Sequence, residues 1–475
     1  MIPLTLGEIA SLTGGAVAAD GDPATVVNGP AVADSRQVEP GSLFVAVTGA
    51  RVDGHDFAAS AVAAGAAAVL ASRPVDAPTV LVDDTVRGLG RLAHGYLRRL
   101  SADVVGVTGS SGKTSTKDLL AAVLGAAAPT VAPHGSFNTE VGVPLTVLRA
   151  DTDTRFLVLE MSARGVGHIA YLCGIAPPRV GVVLNVGAAH LGEFGSREVV
   201  AQAKGELVEA LPTAADGGVA VLNADDPLVL AMRSRTRARV VTFGLSADAD
   251  VRAADVRLDG AARPRFALCC PSAPGRAAER ADVALRLHGA HQVSNALAVA
   301  AVALEQGVPL PAMAAALNAA EPASRWRMEV RDRPDGVTVV NDAYNANPES
   351  MRAAVDALVA MRPPGGQGRC WAVLGEMAEL GAHSAASHRE VGAAVAKAGV
   401  DKLVAVGSAA RGIADGAAEH GLASSDVFCV ADVDGALEVL AAARPGDVVL
   451  VKASRAAALE RLAQGLLDQS AEARA

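Results

Sequence analysis

Residues 103–124 constrain this chain more than any other stretch. The apolar run Asp103–Val107 reads as a buried strand; Val-Thr-Gly-Ser-Ser-Gly-Lys-Thr-Ser follows at 107–115, and a helical segment runs from Lys117 to Leu124. A glycine-containing turn between strand and helix points backbone N–H groups and a helix N-terminus at one spot, which suits a phosphate. Gly109, Ser110, Ser111 and Gly112 make the turn, with Lys113, Thr114 and Ser115 opening the helix. Lys113 adds a positive charge and Thr114 a hydroxyl for a magnesium ion. The longer spelling of a phosphate loop would begin with glycine where Val107 stands. A structural turn with a solvated lysine shares the short spelling, and the flanking strand and helix favour the phosphate loop.

Strand-like runs alternate with helical stretches beyond this unit. They recur at Phe156–Glu160, Val180–Asn185, Val219–Asn223 and Arg239–Phe243, then at Val337–Asn341, Cys370–Gly375, Lys402–Gly407, Val427–Ala431 and Asp447–Val451. Such alternation predicts parallel sheets with helices on both faces. At 475 residues the chain exceeds what one core supports. Three α/β domains are expected: a small one over 1–100, a central phosphate-loop domain with a parallel sheet over 101–322, and a Rossmann-like doubly wound domain over 323–475. Asp248–Arg286 is polar and irregular and reads as short antiparallel strands and loops, while Glu321–Ser324 and Arg362–Gly368 read as linker and surface loop.

Composition excludes several classes. No apolar run is long enough to cross a bilayer and no basic-then-apolar leader stands at the N-terminus, so neither a membrane span nor a secretory signal is expected and the location reads as cytoplasmic. A net charge of −9 with no dense basic stretch argues against nucleic acid. The five cysteines show no metal-ligand spacing and fit a reduced compartment. Only six of the 42 basic residues are lysine, at 113, 117, 204, 397, 402 and 452. Where lysine persists among so many arginines, its compact, deprotonatable amine is itself informative.

Two groups join the phosphate loop as candidates. Glu160 ends a strand and His190 follows the next one, so both are delivered to the rim where ligands of a parallel sheet bind. They suit a divalent cation bridging nucleotide phosphates; a capping glutamate and a backbone-bonded loop histidine are the alternative. Lys204, in Ala203-Lys204-Gly205-Glu206, lies on an apolar and acidic helix. It is either a solvated helix lysine or a neutral amine that takes up carbon dioxide, giving a carbamate for a second magnesium ion.

These motifs resemble the Mur ligase family, ATP-dependent amide-forming enzymes of bacterial cell-wall precursor synthesis. The resemblance spans Gly109–Ser115, Glu160, Asn185 to His190, Ala203–Glu206, Leu222–Pro227 and His288–Asn295. Asn341-Asp342-Ala343-Tyr344-Asn345-Ala346-Asn347-Pro348-Glu349-Ser350-Met351, Ala372–Gly381 and Val451–Arg455 look like segments of the member that adds a dipeptide, D-alanyl-D-alanine. Asp34-Ser35-Arg36, Pro40–Ala46 and Asp53–Phe57 are similar to that member's UDP-sugar domain. One local departure is Thr139 after Asn138, where relatives commonly carry a second asparagine.

The resemblance implies ATP-driven joining of D-alanyl-D-alanine to UDP-N-acetylmuramoyl-tripeptide through an acyl phosphate. Lys113 and the Gly109–Gly112 backbone would hold the β/γ-phosphates; Thr114 and Glu160 would serve a first magnesium ion, His190 and carbamylated Lys204 a second. Lys113, Glu160, His190 and Lys204 are thus the expected catalytic set, and Asn223, His291, Asn295, Arg325 and Asp342 the expected nucleotide contacts. Ser35, Arg36, Asn138, Thr139 and Ser162 would meet the UDP-sugar-peptide; Asn345, Asn347, Ser350, Lys452 and Arg455 would orient the dipeptide. A monomer with a hinge near 321–326 is expected. Two alternatives remain: a tripeptide-forming ligase adding diaminopimelate or lysine, and a non-catalytic nucleotide switch. The Tyr344–Ser350 signature argues against the first; the presence of Lys113, Glu160, His190 and Lys204 argues against the second.

Overall fold

Valine-rich runs buried on both faces build the centre of the molecule. The computed structural model describes residues 1–19, 21–49, 51–188, 191–271, 278–363, 365 and 368–472. Its central sheet has nine strands, and the strands that carry the site are β1 (Asp103–Thr108), β2 (Phe156–Glu160), β3 (Val180–Val183) and β4 (Val219–Asn223). β1 pairs in parallel with β2 on one side and with β3 on the other. Successive strands therefore leave β1 in opposite directions, and the crevice beyond its carboxyl end is where an open α/β sheet binds ligands. Helices α1 (Lys113–Gly125), α2 (His168–Ile175), α3 (Arg197–Glu209) and α4 (His291–Glu305) cover the faces.

The segment Asp248–Arg286 forms the antiparallel strands expected of it, and these extend the central sheet. Val251–Leu258, Pro264–Cys270 and Glu279–Ala284 pair antiparallel with one another, and Val251–Leu258 joins Arg239–Gly244 in parallel. Their alternation of buried Val251, Ala253, Phe266 and Leu268 with exposed Arg252, Arg257 and Arg265 is the pattern of a sheet wetted on one side.

The N-terminal sheet orders Ala16–Val17, Thr79–Leu81, Ala68–Ala71, Leu43–Val45 and Ala31–Val32 side by side. The third domain carries β5 (Thr338–Asn341), β6 (Cys370–Leu374) and β7 (Val448–Lys452), with β7 in parallel between the other two, and helix α5 (Pro348–Ala360). Apolar clusters lie on both of its faces, around Leu358 and Leu403 on one and Trp371 and Leu462 on the other. The architecture is α/β in three domains, as the sequence pattern predicts.

The two outer domains attach differently. Leu6, Leu89 and Tyr96 of the N-terminal domain belong to one apolar cluster with Leu157, Val183 and Leu207 of the central domain. The buried Tyr96 hydroxyl ties this seam by donating to the Ala150 carbonyl at 2.6 Å and accepting the Ile2 N–H at 2.7 Å. The third domain has its own clusters and meets the phosphate loop through polar contacts, described next.

Candidate active site

Backbone geometry makes the phosphate loop glycine-dependent at two positions. Gly112 has φ +79°, and a Cβ there would stand 2.6 Å from Asn295 Oδ1; a Cβ at Gly109 would stand 2.9 Å from Leu184. Asn185, just past β3, holds the loop open. Its Oδ1 accepts the Ser110 and Ser111 N–H groups at 3.0 and 2.9 Å, and its Nδ2 donates to the Ser111 carbonyl. Lys113 Nζ turns back to the Gly109 carbonyl at 2.7 Å.

Around the loop, Thr114 Oγ1 donates to Glu160 Oε2 at 3.0 Å and meets Ser136 Oγ at 3.1 Å. Asn138 Nδ2 donates to Glu160 Oε1 at 2.7 Å, so both oxygens of this buried carboxylate are aimed by neighbours. Lys204 is buried on α3 near Lys113 and forms no hydrogen bond or ion pair with a described residue. Burial first, then the Lys113 charge, holds its amine well below the usual lysine range. Lys113 is lowered too by burial, with Glu160 opposing and Arg327 adding to the effect. Glu206, from the same motif, caps α2 instead, accepting the Gly167 and Ala170 N–H groups at 2.5 and 2.9 Å.

The third domain closes over this rim. Arg327 Nη2 donates to Thr114 Oγ1 at 3.2 Å while its guanidinium lies 4.2 Å from the centre of the Tyr344 ring. A cleft of about 460 Å³ results. The expected residues Ser110–Ser115, Asn138, Thr139, Glu160, Ser162, Asn345, Asn347, Ser350 and Arg455 all line it, with Gly109 directly behind. Arg455 stacks 4.5 Å over Trp326 and pairs with Glu460 at 2.6 Å. A second cleft of about 510 Å³, between Leu12, Arg87 and Tyr171, contains none of the expected site residues.

Other expectations are corrected by the geometry. Arg325 is exposed, and Arg327, two residues on, reaches the loop. Trp326 and Met328 have φ +58° and +49°, an irregular backbone that decides which arginine turns inward and that no spacing rule reveals. Lys452, expected to meet a dipeptide carboxylate, is 2% exposed; its ammonium bonds Asp342 Oδ2 at 2.6 Å and the Asn345 carbonyl at 2.8 Å. Asp342 thereby faces Lys452 and the Met328 N–H, and neither residue lines the cleft. Asn347 caps α5, accepting the Ser350 N–H at 2.8 Å, and Ser350 Oγ returns to the Asn347 backbone, so these side chains order the helix start.

Asn223 donates to the Leu184 carbonyl at 2.8 Å, a β4-to-β3 tie. Asn295 bonds Gln292 beside Gly112, and His291 keeps a buried Nδ1 without a hydrogen-bond partner. Ser35 and Arg36 lie outside the cleft, with Arg36 paired to Asp34 at 2.7 Å. His190 lies outside the described residues. Arg327 and Ser136, both in contact with Thr114, are among the cleft residues that sequence reasoning missed.

A phosphate loop at the switch point of a parallel sheet, roofed by a second doubly wound domain, defines a class: a nucleotide-binding enzyme that works between domains. The chain belongs to the Mur ligase family: its middle-domain model matches residues 107–303, its glutamate-ligase-domain model 326–455 and its catalytic-domain model 32–95. It is 50% identical to the UDP-N-acetylmuramoyl-tripeptide–D-alanyl-D-alanine ligase of Mycobacterium bovis, over 98% of both chains, and 36% identical to the Escherichia coli protein of the same name, over 98% of this chain and 99% of the other. Among solved structures it is similar to a MurF from Acinetobacter baumannii, at 30% identity and TM-score 0.85 over 98% and 99% of the chains. It also resembles the MurF ligase of Thermotoga maritima in complex with ADP, at 33% identity and TM-score 0.78 over 94% and 98%.

Proposed function

We infer that this chain is an ATP-dependent peptide ligase that joins D-alanyl-D-alanine to UDP-N-acetylmuramoyl-tripeptide, yielding the pentapeptide precursor of peptidoglycan with ADP and phosphate. The observation that carries the reading is the cleft itself, where Lys113 and Arg327 converge on Thr114 and Glu160 from two domains. It agrees with 50% identity over nearly the whole chain to a ligase of that name.

A carboxylate is inert toward amines because its oxygen leaves poorly. Transfer of the ATP γ-phosphoryl group makes an acyl phosphate, whose phosphate leaves readily when the dipeptide amine attacks. Such a transfer needs positioning and charge neutralisation more than covalent help from the protein. The Gly109–Gly112 loop, shaped by Asn185, would hold the β/γ-phosphates, with Lys113 and Arg327 flanking the transferred group. His291, with its unpartnered Nδ1, and Asn295 stand beside the loop for the nucleoside. Asn138, Thr139 and Ser162 line the cleft for the sugar-peptide, and Asn345 and Arg455 for the dipeptide.

The Thr114 hydroxyl and the Glu160 carboxylate beside it are oxygen donors that would hold a magnesium ion. Bound there, the ion would neutralise phosphate charge and polarise the γ-phosphorus. For a second ion, Lys204 offers a buried amine whose uncharged form burial favours; that form can add carbon dioxide, releasing one proton and forming a carbamate. The enzyme works as a cytoplasmic monomer in this reading. The test is phosphate release from ATP with purified protein, the UDP-sugar-tripeptide and D-alanyl-D-alanine. Release that does not depend on the dipeptide would overturn the assignment.

A further inference from the structure

Three consecutive amides leave β3 and each is held by a different part of the molecule. The Val186 N–H donates to Asp226 Oδ2 at 2.8 Å, within the central domain, and the Gly187 N–H donates to Ser110 Oγ of the phosphate loop at 2.8 Å. The Ala188 N–H crosses the domain boundary to Glu349 Oε1 at 2.9 Å. Glu349 sits in the first turn of α5, two residues after Asn347, whose Nδ2 donates to the Ser110 carbonyl at 3.3 Å. One helix start thus grips both the phosphate loop and the strand exit that supports it.

The fit requires glycine on the central side. A Cβ at Gly187 would lie 2.7 Å from Glu349 Cδ, so any side chain there displaces the carboxylate. Glu349 Oε2 is buried without a hydrogen-bond partner, which makes the carboxylate costly to hold unless the closed contact stabilises it. A second polar contact, the Gly192 N–H to the Glu379 carbonyl at 3.0 Å, brings the other third-domain signature stretch onto the central domain.

We propose that Glu349 is a closure latch: a positioning residue that couples docking of the third domain to the arrangement of the phosphate loop through Ala188, Gly187 and Ser110. The proposal rests on the ligase reading for its kinetic consequence, but the contact is a property of the closed protein. When the domains part, the Ala188 N–H and Glu349 return to water. When they close, a charge-assisted hydrogen bond forms at the seam and Ser110 is held from both domains, its hydroxyl by the Gly187 N–H and its carbonyl by Asn347 Nδ2.

The experiment compares the full-length protein with Glu349→Ala, Glu349→Gln and Gly187→Ala. Fluorophores on exposed positions of the central and third domains report the closed fraction with ATP and magnesium, and turnover is measured in parallel. Losing one charge-assisted bond at a seam shifts the open–closed equilibrium by roughly tenfold to a hundredfold. Glu349→Ala and Gly187→Ala should both lower the closed fraction and kcat, leaving the affinity for ADP alone within about twofold. Glu349→Gln retains an oxygen acceptor and should recover much of both. An acidic residue that merely favours its own helix start would be blind to Gly187→Ala. Unchanged closure in Glu349→Ala, or closure lost in Glu349→Ala but not in Gly187→Ala, overturns the latch. A wild type that closes but does not turn over would instead overturn the ligase reading alone.

Discussion

Two buried lysines, one in the central domain and one in the third, behave differently. On the third-domain side, Lys452 meets Asp342 at 2.6 Å, so the fold itself supplies the opposing charge. On the central side, Lys204 is equally buried and has no acidic partner among the described residues, only the like charge of Lys113 nearby. Desolvation pushes both amines down, but in Lys452 the Asp342 carboxylate works against it. A charge buried without a partner opposes folding, so a fold that keeps one has a use for it. In the proposed reading, the contrast separates an amine that organises structure from amines available for chemistry: Lys204 for modification, Lys113 for the incoming phosphates.

The strongest attack on this distinction is Lys113→Ala. Loss of a charged donor aimed at transferred phosphate lowers kcat by about 10³-fold, and a stopped-time phosphate assay reads it directly. The melting temperature should not fall, because Lys113 bonds only the Gly109 carbonyl. Activity within tenfold of wild type would remove Lys113 from the chemistry. Next comes Lys204→Ala, for which a loss of about 10²-fold is expected, with partial recovery on adding acetate or another short carboxylate. Arginine at 204 should not be rescued. A folded, ATP-binding Lys204→Ala protein that no carboxylate restores would leave Lys204 without its carbamate.

The parts legible in the sequence were those where local pattern and burial coincide. β1, the glycine turn and α1 share one stretch of chain, and burial of a parallel strand on both faces leaves a valine-rich run without polar alternation. The wing at Val251–Cys270 was legible as antiparallel strands, but not its continuity with the central sheet, because a wet face alternating arginine with alanine is a weaker signal than an apolar run. Arg327 was missed for another reason: positive φ at Trp326 and Met328 sets its direction, and L residues with side chains carry no mark of that conformation. Asn347 and Ser350 illustrate the opposite error. Both line the cleft, yet Asn347 Oδ1 and Ser350 Oγ are engaged by the start of α5 and Asn347 Nδ2 by the Ser110 carbonyl, and a motif does not say whether its asparagine binds a ligand or caps a helix.

A smaller effect separates the lysines by stability. Lys452→Met leaves Asp342 buried and unpaired and should destabilise the protein by about 3 kcal/mol, whereas Lys204→Met removes an unpaired amine and should stabilise it by roughly 1 kcal/mol. Urea midpoints measure both, and the same sign for both variants would erase the distinction.

The smallest effect is in the pH dependence, where the sign follows from linkage. Lys204 is neutral in the fold over an interval that ends at the ordinary lysine value of 10.5, while the unfolded chain carries the proton throughout that interval. The unfolded state therefore binds more protons, and stability must rise with pH there. Below the folded value both states are charged and the penalty is constant; above 10.5 both are neutral and it vanishes. Lys204→Met should flatten the rise in urea midpoint between about pH 8 and pH 10 in carbon-dioxide-free buffer. Some slope must persist, because Lys113 is depressed in the same direction. A midpoint that climbs as steeply in Lys204→Met as in wild type would mean the Lys204 amine is charged in the folded protein, and a charged amine cannot take up carbon dioxide.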